Sequence, residues 1–280
     1  MRNLYLTLAL VSLAGCGGSS SDDGPEDNRP DGFNTFESGA GIHIGVIGDE
    51  DYSDTTYFGL GMFAPDGTMV SFSLDQNNDA NIRFTDHKGA GTDGFFDAEG
   101  RVYDCLNAGA CQWHNSTLNG TLNWDVLASN MEWASEAEPM MMTRDGEASF
   151  MVYPLSTLAG EFSNGYITLT LAESGELSGW DIDGCNWAGT LAPYEDLNLF
   201  ALNLTSSNCD FADRFAGLAF VMEDDEEGHI LWGLTSSETA FLPLAVWDGE
   251  TASAASYERP QANRATFALR TLATQGPIRR

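Results

Sequence analysis

From residue 42 onward, short apolar runs alternate with clusters of Gly, Asn, Asp and Ser, and a helical period is almost nowhere sustained. That rhythm predicts an all-β protein. In the first half, strands are expected over 42–47, 57–63, 68–74, 81–85, 94–96, 116–124 and 148–153, with Ala64-Pro65-Asp66-Gly67 supplying a tight turn. The run Thr68-Met69-Val70-Ser71-Phe72-Ser73-Leu74 alternates strictly, so one of its faces is expected to be buried and the other wet.

Residues 154–160 break the rhythm and read as a short helical turn joining two halves. Beyond them the pattern is very regular, with strands expected over 158–162, 166–171, 176–180, 187–191, 197–204, 215–222, 229–234 and 240–247. Eight is a number at which a sheet can close into a barrel, and closure removes the edges an all-β protein must otherwise protect. The expectation is therefore two antiparallel β modules, 33–154 and 155–258, the C-terminal one an eight-stranded barrel. A tail, 259–280, has room for one added strand. One continuous large barrel stays open as the alternative.

Short internal matches suggest that the modules are related. Cys111-Gln112-Trp113 matches Cys185-Asn186-Trp187, Gly120-Thr121-Leu122 matches Gly189-Thr190-Leu191, and Phe58-Gly59-Leu60 is close to Ala216-Gly217-Leu218. Their order differs between the halves, which argues against a simple tandem copy.

The first residues have a different character. Arg2 is followed by the apolar run 4–13 and then small residues, the layout of an export signal too short to span a bilayer. Leu13-Ala14-Gly15-Cys16 resembles the lipobox of bacterial lipoproteins, which implies a leader over 1–15 and lipidation of Cys16. Gly17 follows the cysteine where Asp would imply inner-membrane retention, so the resemblance implies the outer membrane. Residues 16–32, rich in Gly, Ser, Asp and Pro, read as a lipid-anchored flexible tether. In the other half, 175–191 (Gly-Glu-Leu-Ser-Gly-Trp-Asp-Ile-Asp-Gly-Cys-Asn-Trp-Ala-Gly-Thr-Leu) resembles a pattern of β-rich lipoproteins of marine gamma-proteobacteria, which implies a fold type and a location but no activity.

Charge narrows the partners. With 42 Asp or Glu against 12 Lys or Arg, the formal net charge is −30. Nucleic acid is excluded as a partner, because a field of this sign repels phosphate. A polybasic grip on anionic lipid is excluded for the same reason. So acidic a surface stays soluble by self-repulsion in saline water, in keeping with a marine or halophilic source.

Cys16 apart, the cysteines are Cys105, Cys111, Cys185 and Cys209. In an exported chain this even count points to two disulfides, and proximity favours Cys105–Cys111 and Cys185–Cys209. A four-cysteine metal site fits poorly, because zinc pairs are usually spaced by two to four residues. No metal or other cofactor is expected.

The sequence carries no catalytic signature. His43, His87, His114 and His229 have no zincin spacing, and there is neither a Gly-x-Ser-x-Gly elbow nor a phosphate-binding glycine loop. They read as strand or loop residues. The acidic runs 49–54 and 223–227 lack the EF-hand register and read as solvated hairpin tips. The carboxylates single out no pair for glycoside hydrolysis, whose spacing is set in three dimensions.

Aromatics carry more promise. The chain has seven tryptophans, Trp113, Trp124, Trp133, Trp180, Trp187, Trp232 and Trp247, more than a small barrel core needs. Met140-Met141-Met142 adds a soft apolar stretch of the kind found at adaptable surfaces. Trp180, Trp187 and Trp232, on predicted strands of the C-terminal barrel, are the candidate ligand-binding residues. The expected function is a non-enzymatic outer-membrane lipoprotein that binds a hydrophobic small molecule or an envelope protein, and is accessory to hydrophobic-substrate uptake. A structural or adhesive surface protein is the alternative, and a carbohydrate hydrolase comes third.

Overall fold

The computed structural model describes residues 32, 34–48, 57–75, 81–106, 110–123, 125–134, 136–209, 212–224, 228–248 and 278–279. The leader, Cys16, the tether but for Gly32, the acidic run 49–54 and Trp124 lie outside them. A five-residue helix α1 (Thr35–Gly39) precedes β1 (Gly41–Ile47), β2 (Tyr57–Phe63), β3 (Thr68–Asp75), β4 (Ile82–Thr92), β5 (Phe95–Leu106), β6 (Ala110–Asn123), β7 (Val126–Trp133) and β8 (Glu136–Arg144). Short helices α2 (Gly146–Phe150) and α3 (Leu155–Leu158) lead into β9 (Gly160–Ser163), β10 (Ile167–Leu171), β11 (Glu176–Asp181), β12 (Asn186–Pro193), β13 (Phe200–Ser207), β14 (Arg214–Asp224), β15 (Gly228–Ser236) and β16 (Ala240–Asp248). A two-residue strand β17 (Ile278–Arg279) follows.

The protein is all-β, and its strands form two antiparallel barrels of eight. β1 to β8 pair in sequence, and β8 returns to β1 through pairs running from His43–Arg144 to Ile47–Met140. β9 to β16 do the same, closing where Trp247 and Asp248 meet Ser163 and Phe162. β17 lies beside the opposite end of β16, at Ala240 and Phe241. Closure was expected of the C-terminal half only; the N-terminal half closes as well. Gly100 and Gly217 sit where the neighbouring strand's backbone comes close: a Cβ on either would meet a carbonyl oxygen, of Asp86 at 1.9 Å or of Leu234 at 2.0 Å.

All eight strands expected of the second half are present, as is the helical turn between the halves, α3. The first half departs in several places. β4 and β5 run well past the expected 81–85 and 94–96, and β7 and β8 were not foreseen. The segment 148–153, expected as a strand, instead carries the end of α2 and irregular backbone. Asp145 caps this helix by accepting from the Ala148 amide at 3.0 Å, a local bond that favours a helix start over a strand. Met140-Met141-Met142 is the middle of β8, with Met140 and Met142 buried and Met141 outward.

The short internal matches fall on non-equivalent strands. Gly120-Thr121-Leu122 sits on the sixth strand of the first barrel and Gly189-Thr190-Leu191 on the fourth of the second. Trp113 packs on its barrel's outer face, whereas Trp187 points inward.

The barrels lie side by side. One apolar cluster joins outward residues of β2 to β5, such as Val70, Phe72, Leu74 and Phe84, to outward residues of β14 to β16, such as Leu218, Phe220, Trp232 and Phe241. Phe84 stacks on Phe241 with ring centroids 4.3 Å apart. A polar clasp closes this seam: Arg101 donates to the Ser237 carbonyl at 2.9 Å and to Asp86 at 2.6 Å, while the Ser236 hydroxyl also donates to Asp86. Burial at the seam reverses the expectation for β3. Its apolar face is buried against the second barrel, and its polar face, Ser71 and Ser73, is buried too, inside the first.

Candidate functional site

The second barrel is filled by its own side chains. Alternation sends Leu169, Leu177, Leu191, Leu202, Leu204, Leu231 and Leu244 inward, and they pack with Phe162, Phe200 and Phe215 into a continuous apolar core. Trp187 lies inside it, donating its indole N–H to Asp181 at 2.9 Å. At one end the Cys185–Cys209 disulfide joins the approach to β12 to the chain leaving β13, with Cα atoms 4.8 Å apart.

The three candidate tryptophans are therefore not brought together. Trp187 is core, Trp232 is buried at the seam between the barrels, and Trp180 faces solvent, 55% exposed. β11 orients Trp180 outward because the intervening Asp181 points in to cap the turn, accepting from the Asp183 and Cys185 amides. Packing rather than a ligand accounts for Trp187 and Trp232.

The first barrel has a different interior. At one end Phe36 of α1 packs edge-on against Phe96, and Arg144 braces that helix by donating to the Ser38 and Ala40 carbonyls. At the other end Arg83 crosses the lumen. Its guanidinium pairs with Asp104 at 3.2 Å and with Glu138, and lies 4.2 Å from the centroid of Tyr57 and 4.7 Å from that of Trp133. Burial pushes the Tyr57 hydroxyl up to about 12, against the opposing pull of Arg83. Between these ends Ser71 bonds Thr85 at 2.7 Å, and His43, Ser73, His87, Ser116 and Ser129 are buried and point inward. Burial drives His43 down to about 3 and His87 down to about 4, so both rings are neutral.

These histidines, expected on strands or loops, lie on β1 and β4, and the sequence pattern around them does not announce that they and the serines share one interior. The signal was present in Ser71-Phe72-Ser73 and Arg83-Phe84-Thr85. A barrel whose apolar faces point outward to a partner leaves its polar alternates inside.

On its free side the first barrel presents an apolar belt. Register places outward Phe95 beside Thr121, Thr121 beside Ala128, Ala128 beside Met141, Met141 beside Val46 and Val46 beside Phe58. Phe95 is 67% exposed, Met141 57% and Val46 36%. The next row, Val126, Thr143 and Ile44, continues it, and Leu60 beyond Ile44 packs at the seam. On the other side runs the polar row Asp97, Asn119 and Asn130. The belt spans about 24 Å at ~4.8 Å per strand.

Among the described residues no cluster of three or more His, Cys, Asp or Glu side chains could hold a metal ion. No helix among them is long and apolar enough to cross a membrane. Compared with known proteins, the chain matches no family model, no curated protein and no solved structure.

Proposed function

We propose that the protein is a non-enzymatic, lipid-anchored module of the bacterial outer membrane that docks an envelope protein through the outer face of its first barrel. The observation that carries this reading is the row from Phe95 through Ala128 and Met141 to Val46, exposed apolar side chains aligned by register and interrupted only at the half-buried Thr121. Scattered exposed apolar residues need no explanation, but a contiguous row with a polar rim has the anatomy of an interface. Its barrel faces already dock in this way within the chain, at the seam with the second barrel.

Charge selects the kind of partner. Asp97 and Asp125 flank the belt, and the chain carries a net −30, so a second copy would be repelled. An apolar ridge framed by Lys or Arg fits. Lipidation at Cys16 and the 16–32 tether would hold the barrels near such a partner while leaving them free to orient. The hydrophobic-small-molecule reading is the weaker one, because the tryptophans proposed to line its pocket are spread over core, seam and surface.

The test is a photo-reactive residue at Met141 in host envelopes, with the same residue at Trp180 as control. The expected result is one dominant cross-linked protein at Met141 alone, lost with Phe95→Ser and weakened as salt rises. Equal labelling from both positions, or a product indifferent to Phe95→Ser and to salt, would overturn the docking face. Release of the protein from membranes by Cys16→Ser tests the anchor separately.

A further inference from the structure

Trp180 is the one exposed ring among the six described tryptophans: Trp133, Trp187, Trp232 and Trp247 are buried and Trp113 is half-buried. A single exposed ring needs no explanation by itself; what sets Trp180 apart is its surroundings.

Those surroundings are rigid. Trp180 stands beside Asp181 at the end of β11, and the Asp181 carboxylate accepts from the Asp183 and Cys185 amides and from the Trp187 indole. Tyr166 donates to Asp183 at 2.5 Å, and the Cys185–Cys209 disulfide ties the end of the same turn to the chain leaving β13. A ring presented on so fixed a support loses little freedom when something covers it.

They are also small, polar and uncharged. Register aligns Ser163, Thr168, Trp180, Asn186 and Ser207 in one outward row across β9 to β13. Beside it on β10 to β13 runs the exposed row Thr170, Ser178, Ala188 and Thr205, bounded by Glu161 on β9 and Arg214 on β14. Between those bounds neither row holds a charge, in a chain whose net charge is −30. Thr168 and Asn186 flank the indole across the strands and Ser178 precedes it along β11, all too short to cover it. Ile182, 64% exposed, adds an apolar edge beyond.

This combination selects a partner. Hydroxyls and an amide both donate and accept, as sugar hydroxyls do, while the indole face suits the C–H face of a pyranose ring. Successive strands repeat the row about every 4.8 Å, so a sugar chain laid across them meets a polar group at each step. An anionic polymer finds no Lys or Arg inside the rows and is repelled by the chain's net charge. A bilayer fits less well, because sinking Trp180 into it would take Thr168, Ser178 and Asn186 out of water as well.

We infer that the outer face of the second barrel over β9 to β13 binds a neutral polysaccharide, with Trp180 as the stacking platform and Thr168, Ser178 and Asn186 as its hydrogen-bonding neighbours. The surface lies on the other barrel from the docking belt, and neither depends on the other.

The experiment is native electrophoresis of the full chain through gels containing hydroxyethyl cellulose, laminarin or galactomannan, with alginate as the anionic control, followed by acrylamide quenching with the same polymers in solution. At least one neutral polymer should retard the chain and shield its readily quenched fluorescence. Trp180→Ser, which removes an exposed side chain, should weaken that binding at least tenfold and Asn186→Ala severalfold. Trp180→Phe, which keeps an aromatic face, should retain part of it, and the outward Thr117→Val on the first barrel should bind as the wild type does. Retardation by none of the neutral polymers, binding indifferent to Trp180→Ser, tighter binding of alginate, or shielding by phosphatidylcholine vesicles in place of polysaccharide would overturn the inference.

Discussion

Along β13 of the second barrel, Phe200, Leu202 and Leu204 point inward while the exposed Asn203 and Thr205 point out. Along β3 of the first, Ser71 and Ser73 point inward, and Val70, Phe72 and Leu74 point out against the second barrel. Both strands alternate with period two, and both sit in closed barrels of eight. What differs is where the apolar side is covered: inside the barrel in one case, at the seam in the other. Closure satisfies the backbone irrespective of what fills the interior. The first barrel can therefore line its lumen with His, Ser and Arg, provided that neighbouring apolar surface is buried elsewhere, and the seam supplies that burial.

The strongest way to break this comparison is through Arg83. Its side chain is 4% exposed and its partners Asp104 and Glu138 are mostly buried, so Arg83→Met removes the buried cation that faces both carboxylates. A loss of about 3–5 kcal/mol is expected in urea unfolding. A cost under about 1 kcal/mol would show that this end of the barrel is open to water.

Acid comes next. His43 and His87 titrate near 6.5 when unfolded but near 3 and 4 when folded, owing first to burial; Arg144 adds to the lowering at His43, while Asp125 there and Asp86 at His87 oppose it. A depressed folded pKa means that the unfolded chain takes up the proton first. The stabilising contribution is then complete above about pH 6.5 and is lost as pH falls toward the folded values. Each histidine should lose about 2 kcal/mol between pH 6.5 and 5, at about 1.4 kcal/mol per pH unit. Urea unfolding at pH 7, 6 and 5 should show this slope halved in His87→Gln. An unchanged slope would place the acid sensitivity elsewhere.

In the second barrel the matching perturbation is covalent. Replacing Cys185 and Cys209 by Ser opens a link of 24 residues and should cost about 3 kcal/mol. In the first, Cys105 is disulfide-bonded and stands opposite Cys111 across the β5–β6 ladder. A non-reducing peptide map should recover Cys105 joined to Cys111, and any other partner would refute that pairing.

The same contrast explains what could be read from sequence. Residues 166–204 announce their strands because the inward positions are Leu, Ile, Trp and Phe, so pattern and burial agree. The extension of β4 through Asp86-His87-Lys88-Gly89-Ala90-Gly91 could not be read that way, because its inward positions are His and Gly. β7, with Ser129 inward, and β8, with Glu138 and Pro139 before its methionines, hid for the same reason. Cys185–Cys209 was legible from spacing alone. The candidate tryptophans were placed on real strands, but which face each strand buries depends on a neighbouring barrel that no local pattern records. The leader and Cys16 lie outside the described residues and rest on the lipobox resemblance.

The smallest expected effect sharpens the comparison at the second barrel's surface. Trp180 is 55% exposed and Ile182 64%, at the turn between β11 and β12, whereas Trp187 a few residues later is 2% exposed and bonded to Asp181. Trp180→Ser removes little buried area and leaves no polar group stranded, so stability should shift by no more than about 0.5 kcal/mol. Trp187→Phe keeps an aromatic ring but removes the indole donor to Asp181 Oδ2 inside a dry core, and should cost about 1–3 kcal/mol. Acrylamide quenching separates the two without relying on stability. The readily quenched fraction of wild-type fluorescence should fall in Trp180→Ser and stay in Trp187→Phe. If Trp187→Phe removed the quenchable signal instead, the second barrel's interior would be reachable from solvent, and the contrast between an apolar interior and one that mixes polar with apolar side chains would collapse.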